Sequence, residues 1–135
     1  MKKILDNYYD FIETFEKLLM SEYGLDVNPY SKAGTLVPRK GKIGEFEYHY
    51  HGAGCTVKKD DIICEYNIVP VNKPGIKFSL WSFSEYVNSS SALKKSGYTS
   101  DYIRNELEKL IDEGILEWDD IDGNPINIYI YNRNI

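Results

Sequence analysis

The chain has 135 residues, of which 42% are hydrophobic and 27% charged, with a formal net charge of −5. One domain of this length buries enough apolar surface to fold without disulfides or metals, and this hydrophobic content excludes a disordered chain. Met1–Asp6 carries lysines but no apolar segment after them, and no apolar run approaches the roughly 20 residues of a membrane span, so the expectation is a cytoplasmic protein with no membrane partner.

The first predicted element is a helix from about Ile4 to Tyr23. Leu5, Tyr8, Ile12, Phe15 and Leu19 make the stripe of a helix that covers a core, Asp6, Asp10, Glu13 and Lys17 lie on the other side, and Gly24 is placed to end it. Residues 25–44 contain Pro29, Gly34, Pro38, Gly41 and Gly44 and read as an irregular connection, mildly basic through Lys32, Arg39, Lys40 and Lys42. Glu45 to His51 then alternates, with Phe46, Tyr48 and Tyr50 pointing one way and Glu47, His49 and His51 the other. Further strands are expected over Cys55–Lys58, Ile62–Val69 and Ile76–Leu80, which sum to an antiparallel meander. Trp81–Asn88 reads as a short helix with Phe83, Tyr86 and Val87 at helical spacing.

Ser100 is the predicted N-cap of the last helix, which carries Ile103, Leu107, Leu110 and Ile111 and ends at Gly114. Ile115–Trp118 and Ile126–Tyr131 are expected to be strands, joined through an Asp122-Gly123 turn. The expected fold class is α+β: an N-terminal helix on an antiparallel sheet, then a C-terminal helix followed by a β-hairpin, in a single domain over residues 1–135.

The charge is concentrated. Residues 100–123 hold nine acidic side chains against Arg104 and Lys109, a balance of −7, whereas the first 99 residues are nearly neutral. The helix and hairpin of this block have the outline of the second half of a winged helix, but a nucleic-acid partner is excluded, because phosphates would be repelled by every acidic side chain of the block. A basic protein is the complementary partner. The candidate binding residues are Glu106, Glu108, Asp112, Glu117, Asp119, Asp120 and Asp122, with Trp118 or Tyr102 as aromatic anchors. The 12 tyrosines suit such a role, since a tyrosine ring packs while its hydroxyl bonds.

Tyr48-His49-Tyr50-His51-Gly52-Ala53-Gly54-Cys55 is the other segment with chemical content. Two histidines at i, i+2 share a strand face, and Cys55 with Cys64 adds two thiols, but the spacings do not match a structural zinc pattern. No metal and no cofactor is expected. With no export signal both cysteines are expected to stay reduced. The alternative to a binding module is a small hydrolase or transferase that uses Cys55 as nucleophile with His49 or His51 as base. It requires the thiol and an imidazole to meet within hydrogen-bond reach in an accessible cleft. Trp118 to Asn124 has the flavour of a calcium loop, yet aligning Gly123 with its glycine puts Trp118 and Tyr129 where carboxylates are needed.

Gly41-Lys42-Ile43-Gly44, then Tyr50-His51-Gly52-Ala53-Gly54-Cys55, resemble the short motif of an uncharacterised family of small bacterial domains. The later parts of that pattern correspond to Leu80-Trp81-Ser82-Phe83 and Leu107–Leu116. Domains of this kind recur beside bacterial polymorphic toxins, so the resemblance implies an immunity protein that neutralises a toxin.

Overall fold

In the computed structural model the described residues are 1–26, 37–52, 54–67, 75–90, 97–121 and 124–131, with side chains up to residue 118. The elements run α1 (Lys2–Tyr23), β1 (Lys40–Ile43), β2 (Phe46–His51), β3 (Gly54–Lys59), β4 (Ile62–Asn67), β5 (Ile76–Ser79), α2 (Leu80–Ser89), α3 (Ser100–Asp112), β6 (Leu116–Ile121) and β7 (Asn124–Tyr131). The strands form one antiparallel sheet in the order β1-β2-β3-β4-β5-β7-β6. The α+β class, with an N-terminal helix on an antiparallel sheet and a C-terminal helix followed by a hairpin, is that expected from the sequence. No described helix is long and apolar enough to cross a membrane.

Helix α1 buries its predicted stripe completely: Leu5, Tyr8, Ile12, Phe15 and Leu19 have no exposed surface. It ends where Gly24 takes φ 64° and ψ 37°, and the Leu25 N–H donates back to the Met20 carbonyl at 2.8 Å. The stripe lies on the inner face of the sheet, where Phe15 meets Phe46 and Tyr48 at centroid distances of 5.9 and 5.5 Å. Strand alternation supplies the other half of this core, with Tyr50, Cys55, Val57, Cys64, Tyr66 and Phe78 buried on the same face.

Among the described residues the sheet opens between β4 and β5, which share one registered pair there, Asn67 with Lys77. Helix α2 fills the opening. Its Ser89 Oγ accepts from the Ile63 N–H at 2.9 Å, and the Tyr8 hydroxyl donates to the Glu65 carbonyl. These two side chains from two helices replace ladder bonds that β5 does not supply, as buried backbone groups require. Tyr8 is also the centre of the aromatic core, edge-on to Phe78, Phe83 and Tyr86 at 5.2, 5.4 and 5.0 Å.

Three sequence expectations change. Residues 40–43 are not irregular connection but strand β1, paired with β2 from Lys40–His49 to Ile43–Phe46. The N-cap of α3 is Thr99, one residue before the expected Ser100, and its Oγ1 accepts from the Tyr102 N–H at 3.1 Å. The C-terminal helix and hairpin form as expected but depart from the winged-helix outline, because β7 inserts between β5 and β6 and makes the hairpin the end of the large sheet. Residues 27–36 of the expected connection over 25–44, the end of the Ile62–Val69 strand beyond Asn67, and the Asp122-Gly123 turn lie outside the described residues.

Candidate functional site

The His49–Cys55 segment is the β2–β3 hairpin. His51 pairs with Gly54, so residues 52 and 53 connect the strands, and Gly52 takes φ 58°. A Cβ on Gly54 would meet His51 Cε1 and the Tyr66 carbonyl oxygen, each at 3.3 Å. Both glycines of the segment therefore answer backbone demands, one a left-handed turn and one the close approach of β4.

This register decides the chemistry. His49 and His51 point to the outer face, whereas Cys55, opposite Tyr50 and Tyr66, points into the core and has no exposed surface. Burial pushes the Cys55 thiol up to about 12, with the nearby Glu16 carboxylate adding to the shift and bonds from Tyr66, Tyr50 and the His49 backbone opposing it. Burial also holds the Cys64 thiol well above its usual range. The structure does not bring the thiol to either imidazole. His51 Nε2 sits 2.8 Å from Thr56 Oγ1 and 3.4 Å from Glu65 Oε1, and the His49 and His51 rings lie 5.6 Å apart. Both cysteines are free thiols, and among the described residues no three His, Cys, Asp or Glu side chains are grouped to hold a metal ion.

The acidic residues are arranged differently. On α3, Ile103, Leu107 and Leu110 are buried, so Glu108 and Asp112 stand on the solvent side. Glu106 is half-buried and lies 3.4 Å from Lys109 Nζ. Tyr102 is on the same flank as Glu106, one turn before it, and its ring stacks on Tyr98 at 4.9 Å and 4°. The Glu106 charge raises the Tyr102 hydroxyl above its ordinary value, with lesser causes adding to it.

Strand β6 is the sheet edge beyond β7 and packs beside α3, so its residues extend the same end of the molecule. Glu117 is exposed, and Trp118 keeps 41% of its surface exposed, close to the 42% of Tyr102. Asp119 and Asp120 belong to β6 by backbone, their side chains lying outside those described, and Asp122 lies outside the described residues altogether. The most exposed aromatic among the described side chains, Trp81 at 68%, escaped the sequence reading as a surface residue. Its signal was present: with Phe83, Tyr86 and Val87 inward, helical spacing places residue 81 on the outward side of α2.

Fold and surface together define a small α+β domain whose conspicuous feature is an aromatic-bearing acidic end. The chain belongs to the family described as a domain of unknown function (DUF6896), whose model matches residues 1–130. No curated protein and no solved structure matches it.

Proposed function

We propose that this domain is a protein-binding module of the bacterial cytoplasm, an immunity protein whose acidic α3–β6 end covers a basic toxin domain. The observation that carries the reading is the pairing of two exposed aromatic rings, Tyr102 and Trp118, with the exposed carboxylates of Glu108, Asp112 and Glu117 on adjoining elements. Exposed large aromatics are the usual anchors of a protein interface, and surrounding like charges steer a partner of opposite sign. A regular helix packed on a paired strand presents them without a loop to be ordered on binding, which limits the entropic cost of association.

The resemblance to domains that accompany polymorphic toxins supplies the kind of partner. A genetic test follows. A basic toxin domain encoded beside this chain is expressed in a bacterial host with and without it. Growth restored by the wild-type chain and lost with Glu108→Lys and Glu117→Lys combined supports the reading. Rescue that survives both charge reversals, together with Trp118→Ala, refutes the assigned surface.

A further inference from the structure

The outer face of β1–β3, away from α1, carries a second charged feature that the acidic end does not use. Lys40 and Lys42 of β1, Glu47 and His49 of β2, and Thr56 and Lys58 of β3 line a groove of about 750 Å³. Strand alternation puts them there, out of phase with the buried Ile43, Tyr48 and Val57. The register sets them in two rows across the sheet: Lys40, His49 and Thr56 in one, Lys42, Glu47 and Lys58 in the other.

Three ammonium groups thus line the groove with one carboxylate, Glu47, while Glu65 of β4 continues the Lys40–His49–Thr56 row beside it. None of the three closes an ion pair among the described residues, although Glu47 stands between Lys42 and Lys58, whereas nearby Lys59 reaches Glu45 at 3.4 Å. Glu85 of α2 senses the Lys58 charge from beyond ion-pair distance. The Thr56 hydroxyl adds a donor. It lies 2.8 Å from His51 Nε2, which is itself 3.4 Å from the Glu65 carboxylate.

We infer that this groove binds a small anion bearing two or more phosphoryl charges, of which pyrophosphate is the simplest. The volume lies in the range of small-molecule sites. Lys40 at one end of the His49–Thr56 row, with Lys42 and Lys58 on either side of Glu47 in the other, match charges spread over linked phosphoryl groups better than a single compact anion. Among the described residues the one Tyr, Phe or Trp ring of the lining, Tyr48, is buried and its hydroxyl donates to the Pro38 carbonyl at 3.0 Å, so affinity follows the phosphoryl groups. A nucleic-acid polymer is disfavoured by the acidic balance of the remaining surface.

The test is calorimetric titration of the full chain with pyrophosphate, against sulfate at matched ionic strength. The inference expects saturable one-to-one binding of pyrophosphate and much weaker binding of sulfate. Lys42→Gln and Lys58→Gln should each weaken it by about tenfold or more, the usual effect of losing a hydrogen bond to a charged group. Glu47→Gln should tighten it, and Lys17→Gln on α1 should leave it unchanged. Circular dichroism establishes that each variant is folded. Absence of saturable pyrophosphate binding, equal binding of sulfate, or indifference to both groove lysines would overturn the inference. The groove lies toward the sheet edge opposite β6, so its failure would leave the acidic-surface reading standing.

Discussion

Cys55 gives a sharp quantitative expectation. With its thiol pushed up to about 12, against an ordinary 9.0, the thiolate fraction at pH ~8 is about one in ten thousand instead of about one in ten. Alkylation proceeds through the thiolate, so ionisation alone slows the folded protein about a thousandfold relative to the unfolded chain. Complete burial beneath α1 slows it further, because reagent reaches the sulfur only when the core opens. The assay is iodoacetamide labelling at pH ~8, in buffer and in denaturant, with Cys55 and Cys64 resolved by peptide mass analysis. Labelling of Cys55 in buffer within about tenfold of its rate in denaturant would refute both its burial and the placement of β3 that causes it.

Other expectations follow from the core and the hairpin. Tyr8→Phe keeps the ring but leaves the Glu65 carbonyl without its donor, so urea unfolding should show a loss of about 1–3 kcal/mol. Gly54→Ala sets a methyl 3.3 Å from the Tyr66 carbonyl oxygen and should destabilise by about 1–3 kcal/mol in the same assay, with the His51 ring displaced in NMR spectra. Stability should also fall at alkaline pH. The Cys55 thiol and the Tyr86 hydroxyl are raised to about 12 from 9.0 and 10.0, and Tyr8, Tyr66 and Cys64 are raised as well, chiefly by burial. The unfolded chain therefore releases protons from about pH 9 upward while the folded chain keeps them. The stability tied to these groups is present below about pH 9 and is lost as pH rises through the folded values, which a denaturation series from pH ~7 to ~11 measures.

Helix α1 was legible because its stripe, cap and length agree, and β2 because Phe46–His51 alternates without interruption. Strand β1 was not. It is four residues long, includes Gly41, and follows Pro38, so its composition matches a loop. What makes it a strand is tertiary: the Tyr48 ring lies where a Gly41 side chain would stand, 3.2 Å from the position of its absent Cβ. The insertion of β7 between β5 and β6 likewise has no local signal, since it joins segments on either side of α2 and α3. The separation of Cys55 from His49 and His51 depends on a two-residue connection in the hairpin; one residue more would have turned the thiol to the outer face. The acidic end was visible as charge density, but which of its residues are exposed depended on how α3 and β6 pack.

The most direct test of the proposed role is the salt dependence of the affinity between this chain and its captured protein partner, for wild type and for Glu108→Lys combined with Glu117→Lys. An interface steered by the α3–β6 carboxylates predicts that the wild-type complex weakens steeply between about 50 and about 300 mM salt. It predicts that the double reversal costs at least about tenfold at the lower concentration and flattens the dependence. Equal affinities and equal salt slopes for the two proteins would contradict it.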